Sequence, residues 1–372
     1  MSRHVGLTVA GTADQAAWRE AMTRATQHDC FHLREYHVVA ERRGEGTAQL
    51  YIYRDGEHLI AVPLLLRPVD PTRQRGWLDA TSVYGYGGPV TSHASLPSSV
   101  VSGFQAALAE ELTRRRVVAV FSRLHPLIEQ RETLAGLGDC RTHGQTISID
   151  LTLDPEEQEA GYSKSCRRTL RSLRDMGFVG LHDAEKRYLA EFVDVYLETM
   201  RRTSADSSYF LDRRHFETLT RELGPAVQLF VAIQDGTVAA ATLATVCDGI
   251  VQDYLGGTRT EFLKFSPDRL VVDTERAWAT RTGARVFHLG GGVGAREDSV
   301  FRYKAGFSDR RHTFRTWRWV VRPDVYADLA RAASVADGDD SPFFPVYRAP
   351  NRASPAGSGA NVAAADVTGD PW

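Results

Sequence analysis

The apolar segment around Phe287 ends in three consecutive glycines, Gly290, Gly291 and Gly292. Glycine adopts backbone angles that other residues avoid, and it has no side chain to keep neighbouring groups at a distance. A strand can therefore end sharply at such a run, and a ligand can come close to its main chain. We expect a buried strand that ends here in a turn beside a binding site.

A lysine, Lys304, follows this turn and lies between Tyr303 and Phe307. Aromatic neighbours exclude water, and an ammonium group acts more strongly on a developing negative charge where water is excluded. We interpret the glycine turn, Lys304 and Tyr303 as the reaction centre of a transferase. The alternative interpretation is a strand turn followed by a surface lysine.

The chain has 372 residues, which is more than one hydrophobic core usually organises, so two domains are expected. With 42% apolar and 25% charged residues, its composition is that of a soluble globular protein. A net charge of -2 excludes a globally basic nucleic-acid-binding protein, so that any RNA contact must come from local basic patches.

The cysteines are scattered and form no Cys-x-x-Cys pair, as is typical of reduced thiols in a cytoplasm. No apolar stretch approaches the length of a membrane span, so we expect a cytoplasmic protein. The cluster of His28, Cys30, His32 and His37 lacks a second ligand group with metal spacing, and we predict no metal site.

Both halves of the chain alternate predicted helices and strands, an order that favours an α/β fold with mixed sheets flanked by helices. A strand over 146–151 joins the halves, which gives predicted domains at 1–145 and 146–335. Residues 336–372 are rich in Ser, Pro, Gly, Ala and Asp and are predicted to be disordered. The apolar stretch 343–347 interrupts this tail and is a candidate to dock back onto the body.

A helix predicted to start after Tyr162 has one apolar and one basic face. The basic residues are Lys164, Arg167, Arg168, Arg171 and Arg174. Such a cluster suits the phosphates of tRNA or of a diphosphate-bearing acceptor, and an ordinary solvated helix face is the alternative. A second basic group in the last predicted strand includes Arg311 and Arg315, with Trp317 and Trp319 expected in the core.

Several motifs occur in one order along the chain: Tyr84 to Pro89, Tyr162 to Arg168, Met200-Arg201, Leu289 to Gly292 and Phe301 to Phe307. Together they resemble the FemABX family of peptidoglycan-bridge aminoacyltransferases. The resemblance runs from about Trp18 to about Leu329. It implies two tandem GNAT-like domains and the transfer of an amino acid from aminoacyl-tRNA to an amine, with no further cofactor.

The resemblance also implies roles for individual residues. Lys304 would stabilise the oxyanion or the departing ribose hydroxyl, beside a substrate-lining Phe301 and the glycine turn. Arg201 and Tyr209 would line the substrate site, although an arginine at a helix C-terminus is also explained by the helix dipole. The remaining predicted substrate-binding residues, on the acceptor side, are Tyr84, Tyr86 and Gly87.

The sequence leaves alternatives for the identity of both the acceptor and the donor. The long helical hairpin of the glycine-bridge enzymes is missing, so we favour a small amine in specialised metabolite assembly, with a peptidoglycan-precursor stem peptide as the alternative. Acyl-CoA is the alternative donor, although the loop expected to hold its pyrophosphate, 258–265, has no glycine. A non-catalytic tRNA-binding protein is a third possibility, and a monomer is expected.

Overall fold

The computed structural model describes residues 5–69, 76–333 and 343–349. Its contacts divide the chain into two units. The first unit runs to His143 and resumes at Phe314, and the second spans Gly144–Thr313. Most of the tail predicted to be disordered, 336–372, lies outside the described residues.

The N-terminal part of the chain builds most of the first unit. Its elements are β1 (Val5–Gly11), α1 (Gln15–Arg24), α2 (Arg34–Arg42), β2 (Thr47–Asp55), β3 (His58–Pro68), β4 (Leu78–Thr81), β5 (Val90–Thr91), α3 (Ser98–Arg114), β6 (Val117–Leu124) and α4 (Arg131–Leu134).

The second unit follows. Its elements are β7 (Asp139–Asp150), α5 (Pro155–Ala160), α6 (Lys164–Asp175), β8 (Val179–Asp183), α7 (Leu189–Arg202), α8 (Arg213–Leu223), β9 (Val227–Gln234), β10 (Thr237–Cys247), β11 (Ile250–Thr258), α9 (Asp268–Arg281), β12 (Val286–Gly290) and α10 (Ser299–Lys304). The chain then forms β13 (Arg311–Val320) and α11 (Pro323–Ala332).

The two units share one strand order. In the first, each of the strands β1 to β4 pairs antiparallel with the next one along the chain. β6 runs parallel to β4, and β13 is antiparallel to β6. In the second, β8 to β11 pair antiparallel, β12 runs parallel to β11, and β7 is antiparallel to β12. The first unit thus receives its last strand, β13, from the far end of the chain, whereas the last strand of the second unit, β7, is the first in its own run of sequence.

Helices cover the sheet of each unit and bury its apolar side chains. In the first unit, Phe104 and Leu108 of α3 lie in one core with the buried Trp317 of β13, as expected for that tryptophan. In the second, alternate residues of β7, such as Ile147 and Ile149, share a core with α6 and α9. The mixed α/β architecture predicted from the sequence is therefore confirmed.

Local sequence signals explain where two helices of the second unit begin and end. Asp154 and Glu157 form a capping box around Pro155 at the start of α5, which satisfies amide groups that the helix leaves unpaired. At the other end of the unit, α9 stops where Gly283 takes a positive φ of 77°.

The apolar stretch near the C-terminus docks onto the first unit, as predicted. The ring of Phe344 lies 6.5 Å from that of Phe121 and 5.8 Å from that of Tyr326. Arg348 forms an ion pair with the buried Asp79 and donates to the carbonyl of Pro68 at 2.6 Å. In the described ranges, the model contains no helix whose length and hydropathy suit a membrane crossing.

Candidate active site

The parallel strands β11 and β12 of the second unit diverge after a short paired stretch. Three residue pairs join them: Ile250 with Val286, Val251 with Phe287, and Gln252 with His288. Beyond this point β11 continues to Thr258 and carries an extra residue, Tyr254, where its register with β10 shifts. Diverging strands leave backbone groups unpaired with each other, and bulges often lie beside active sites. We take this divergence as the candidate site of the second unit.

The glycine turn predicted from the sequence ends β12 at this divergence. Gly290 has a φ of 79°, which other residues rarely adopt. A Cβ on Gly291 would lie 2.9 Å from the carbonyl oxygen of Gln145, and one on Gly292 would lie 2.1 Å from that of Arg296. Close packing against β7 and against the following loop therefore requires glycine, whether or not a ligand approaches.

Lys304 ends the short helix α10 and is buried, with 1% of its surface exposed. Phe301, on the same helix, is 2% exposed, and its amide donates to the Asp298 carboxylate at 2.9 Å, which caps the helix. Tyr303 is half-buried and hydrogen-bonded to Asp268 at the start of α9. The structure thus places the predicted lysine in a dry environment, away from bulk solvent.

Two other acids near Lys304 in sequence have structural partners. The second carboxylate oxygen of Asp298 accepts a hydrogen bond from the amide of Val293 at 3.1 Å. Glu297 forms an ion pair of 2.9 Å with Arg311. Both carboxylates are therefore occupied in holding the loop that leads into α10, which weakens them as proton acceptors.

Glu275, in the middle of α9, is a buried acid that was not among the predicted site residues. Its side chain has no exposed surface, and neither carboxylate oxygen has a hydrogen-bond partner among the described residues. Burial, reinforced by the charge of Asp253, raises its pKa well above the usual value. Burial, Asp268 and Asp253 likewise raise the pKa of Tyr303. A signal was available, because Glu275 stands four residues from both Val271 and Ala279, on the buried face of the helix.

This buried acid predicts a pH dependence of stability. Because the pKa of Glu275 is raised on folding, its protonated form is favoured in the native state, and its contribution is complete below about pH 4.5, the usual pKa of the group. As the pH rises from there towards the native-state pKa, this contribution is lost. The equilibrium constant for unfolding then increases roughly tenfold per pH unit. Urea unfolding of wild type and Glu275→Gln between pH 5 and pH 8 should show a flatter profile for the variant.

The exposed Glu185 offers a matched control for this comparison. Glu185→Gln should reproduce the wild-type profile, because a solvated carboxylate titrates alike in both states. Identical pH profiles for wild type and Glu275→Gln would contradict the assignment of a protonated buried carboxyl group.

Near the point where β11 and β12 diverge, hydrogen bonds link a row of polar side chains on neighbouring strands. His288 bonds through Nδ1 to Gln252 at 2.6 Å and through Nε2 to Thr146 at 2.8 Å. Ser148, the register partner of His288, bonds to His312 at 2.7 Å. Both ring nitrogens of His288 are engaged, so this residue fixes the strands at the point where they diverge.

The predicted basic helix face is exposed along α6, while Cys166, Leu170 and Leu173 are buried. Two of its cations have structural partners. Arg167 donates to the carbonyl of Tyr162 at 2.6 Å, and Arg174 pairs with Asp273 at 2.6 Å. The other three have no polar contact in the described part of the chain: Lys164, Arg168 and Arg171.

The other predicted residues of this unit lie in different elements. Arg201 is exposed on the last turn of α7, and Tyr209 is half-buried in a 3-10 helix, where its carbonyl accepts from Tyr196 at 2.7 Å. The guanidinium of Arg311 lies 5.1 Å from the ring centre of Phe301, next to α10. Arg315 is in the first unit, so the two strand arginines belong to different units.

The aromatic-glycine segment 84–88 lies in the first unit, after β4. The Gln130 amide donates to the carbonyls of Gly87 and Pro89 at 3.0 and 2.9 Å, which fixes the turn. Tyr86 is half-buried with its ring 5.8 Å from that of His125, and the guanidinium of Arg123 lies 5.9 Å from the ring centre of Tyr84. Both tyrosines are thus held partly accessible in this unit.

The histidine cluster near the N-terminus is part of the packing around this turn. His125 bonds through Nε2 to the Asp29 carboxylate at 2.8 Å, with both side chains fully buried. Burial, with the nearby charge of His125, lowers the pKa of His32 to about 3, so His32 is neutral. Over residues 5–69, 76–333 and 343–349, no group of three or more His, Cys, Asp and Glu side chains is arranged to hold a metal ion.

The strand order in each unit, four antiparallel strands followed by a parallel one, is that of a GNAT-type acyltransferase fold, and it occurs twice. Residues 160–305 match the family model described as an acetyltransferase (GNAT) domain. None of the curated proteins matches the chain in sequence.

Three solved structures are similar to the chain. The structure titled FemX is 11% identical, covers 86% of this chain and 98% of its own, and has a TM-score of 0.66. L-PGS from Bacillus licheniformis is 11% identical with coverages of 87% and 96% and a TM-score of 0.54. A conserved protein of unknown function from Bacteroides thetaiotaomicron is 9% identical with coverages of 85% and 100% and a TM-score of 0.55. The predicted tandem GNAT-like fold of the FemABX type is thereby confirmed.

Proposed function

We propose that the protein is an aminoacyltransferase that moves an amino acid from aminoacyl-tRNA to an amine and forms an amide bond. The amine nitrogen attacks the ester carbonyl, the ribose oxygen leaves, and the proton lost by the nitrogen ends on that oxygen. The observation that carries the proposal is the burial of Lys304 on a short helix that follows the glycine turn of a GNAT-type unit.

Lys304 would supply electrostatic stabilisation in this reaction. The transition state carries negative charge on the carbonyl oxygen and then on the departing ribose oxygen. A fixed ammonium group with little surrounding water stabilises such charge far more than an exposed one does, because the local dielectric constant is low. No protein nucleophile is needed, since the deprotonated amine attacks the ester directly.

The loop between β11 and α9 favours an RNA-borne ester over acyl-CoA. GNAT domains that use acyl-CoA hold its pyrophosphate on amides of a glycine-containing loop at this position. Here the loop has no glycine and folds into a 3-10 helix, Thr260–Phe265. Its first amide, that of Thr260, donates to the carboxylate of Glu198 at 2.7 Å. A carboxylate at this place repels a pyrophosphate.

The exposed cations of α6 supply a site for the phosphates of tRNA. Lys164, Arg168 and Arg171 lie on one face of the helix and are exposed. Lysine and arginine side chains of this kind contact phosphates through charge, independently of base sequence. They belong to the same unit as Lys304. We assign tRNA binding to this face and the acceptor to the segment around Tyr84 and Tyr86.

For the acceptor we favour the amine of a small specialised metabolite over a peptidoglycan-precursor stem peptide. No heptad-rich stretch of the kind that forms the helical hairpin of the glycine-bridge enzymes interrupts the sequence. Tyr84 and Tyr86 are half-buried and provide two partly accessible aromatic side chains. A compact amine fits such a site without the additional contacts that a long peptide requires.

A donor assay tests the proposal directly. The protein is incubated with a panel of amines and peptidoglycan precursors, together with either charged tRNA or acyl-CoA, and product is followed by mass spectrometry. We expect amide product with charged tRNA, and we expect pretreatment with ribonuclease to abolish it. Product that survives ribonuclease and requires acyl-CoA would overturn the choice of donor. Binding of tRNA without product from any acceptor would indicate a non-catalytic tRNA-binding protein.

A further inference from the structure

An acidic side chain lies on the α9 side of the sheet, at the point where β11 and β12 diverge. Asp253 is the first residue of β11 beyond its last pair with β12. It comes two residues after Val251, which shares a core with α9, whereas Gln252 between them bonds to His288 on the opposite face. The side chain of Asp253 therefore projects towards α9, and it is half-buried.

Glu275 approaches the same position from α9. It lies four residues from both Val271 and Ala279, which belong to that core, so its side chain faces the sheet. The side chain has no exposed surface, and neither oxygen has a hydrogen-bond partner among the described residues. Buried polar groups are normally paired, so an unpaired carboxyl group beside a candidate site points to a ligand that supplies the missing partner.

Tyr303 links these acids to α10, the helix that carries Lys304. It is hydrogen-bonded to Asp268 at the start of α9, and burial, together with the charges of Asp268 and Asp253, raises its pKa. The charge of Asp253 acts in the same direction on the pKa of Glu275, after burial. The acids therefore extend from the strand divergence to the helix that ends in the buried Lys304.

This group of side chains contains three carboxyl groups and two cations. The carboxyl groups are those of Asp253, Asp268 and Glu275. One cation is Lys304, and the other is Arg269, whose guanidinium lies 4.9 Å from the ring centre of Tyr303. One further positive charge would balance the group, and an ammonium group carries that charge together with several hydrogen-bond donors.

We propose that Asp253, with Glu275 behind it, binds the ammonium group of the amino acid that aminoacyl-tRNA donates. This inference rests on the proposed function and adds the recognition of the donor to it. Asp253 is the direct contact, because its half-buried side chain is open to a ligand. Glu275 lies deeper and gains the partner that the free protein does not give it.

The chemistry of the reaction distinguishes the ammonium group of the donor from that of the acceptor. The acceptor amine must lose its proton before it attacks, so a site that holds its ammonium form would oppose the reaction. The α-amino group of the donor takes no part in bond formation and stays protonated throughout. An acetyl donor has no such group, so this site would also select aminoacyl over acetyl donors.

A stable mimic of the donor tests the inference without turnover. The mimic is a tRNA acceptor stem ending in 3′-amino-3′-deoxyadenosine, to which alanine is joined by an amide bond. Binding to the full chain is compared with that of the same RNA carrying N-acetylalanine, which lacks the ammonium group, and with that of the uncharged RNA. We expect the alanyl RNA to bind roughly tenfold more tightly than the N-acetylalanyl RNA.

Two variants and one control locate this preference. Asp253→Asn should reduce it to about twofold or less, and Glu275→Gln should reduce it several-fold. Both variants should keep the wild-type affinity for the uncharged RNA, which shows that they are folded and that the RNA site is intact. Glu185 is an exposed acid of the same unit, so Glu185→Gln should keep the wild-type preference.

The outcomes separate this inference from the proposed function. Equal affinity of the wild type for the alanyl and N-acetylalanyl RNAs, or an undiminished preference in Asp253→Asn, would overturn the inference and leave the proposed donor in place. An RNA carrying Nα-acetyl-lysine that binds as tightly as the alanyl RNA would also overturn it, because the site would then take a side-chain ammonium group. Absence of binding to every RNA would refute the proposed donor and the inference with it.

Discussion

Lys304→Met is expected to reduce the rate of amide formation by at least ~10²-fold, with tRNA affinity within a few-fold of wild type. The substitution keeps the length and apolar stem of the side chain and removes the charge. It therefore removes stabilisation of the oxyanion and of the leaving ribose oxygen, which arises in the transition state, while contacts to the tRNA backbone remain. Single-turnover kinetics with charged tRNA and a filter-binding assay measure the two quantities separately.

Arg302→Met is the matched control, because Arg302 is an exposed cation on the same helix. It should retain the wild-type rate. Since Lys304 is buried, circular dichroism and thermal unfolding of Lys304→Met must show a folded protein for its rate to be interpreted. A folded Lys304→Met variant with the wild-type rate would remove Lys304 from the mechanism. An equal loss of rate and tRNA affinity would reassign it to RNA binding.

Motif order and local signals predicted much of the second unit. The glycine turn, the position of Lys304 and the amphipathic α6 were read from short segments, because backbone freedom and helical periodicity are local properties. The glycines, however, have a packing function that no local reading reveals. At position 292 glycine is required because the carbonyl oxygen of Arg296 and the carboxylate of Asp298 would collide with a Cβ. These groups approach Gly292 only in the folded loop.

The return of β13 to the first unit was not predicted, because it is a property of strand pairing and not of any segment. The apolar alternation in β7 and β13 indicates strands, but alternation does not specify a partner. β7 pairs with β12, and β13 pairs with β6. For the same reason Arg311 and Arg315 were predicted as one basic group, whereas the contacts of the chain assign them to different units.

Buried acids were the main omission from the candidate site. Acidic residues on a predicted helix are normally assigned to solvent, since burying an unpaired carboxylate is unfavourable. Glu275 is buried without a partner among the described residues, and its raised pKa shows that the neutral form is favoured. Its neighbour Asp253 is the first residue of β11 beyond the last pair with β12. Acidic groups therefore lie at the strand divergence of the second unit.

A buried ionic network fastens the basic helix α6 to α9. Arg276, 3% exposed, donates to Tyr162 at 3.1 Å and to Asp273 at 3.0 Å. Tyr162 donates to the same Asp273 oxygen at 3.0 Å, and Arg174 pairs with the other oxygen at 2.6 Å. Asp273 thus accepts hydrogen bonds from three donors. One of them, Arg174, is in α6, and another, Tyr162, lies just before the start of α6.

Arg276→Met is expected to lower the free energy of unfolding by about 3–5 kcal/mol, because it leaves the buried carboxylate of Asp273 with only part of its partners. Urea denaturation measures the loss. Arg281→Met, at the exposed end of the same helix, should change stability by less than about 0.5 kcal/mol.

Replacing the partners together should recover part of this stability. In Arg276→Met, Asp273→Leu the buried carboxylate is removed along with its cation, so no buried charge is left unpaired and the uncharged hydroxyl of Tyr162 is the buried group that loses its partners. A double variant less stable than Arg276→Met would show that Asp273 acts mainly through Tyr162 and Arg174. A loss below about 1 kcal/mol for Arg276→Met itself would mean that core packing, and not this network, holds α6 on α9. In that case the position of the exposed basic face of α6 would depend on Leu170 and Leu173, which α6 buries in the core.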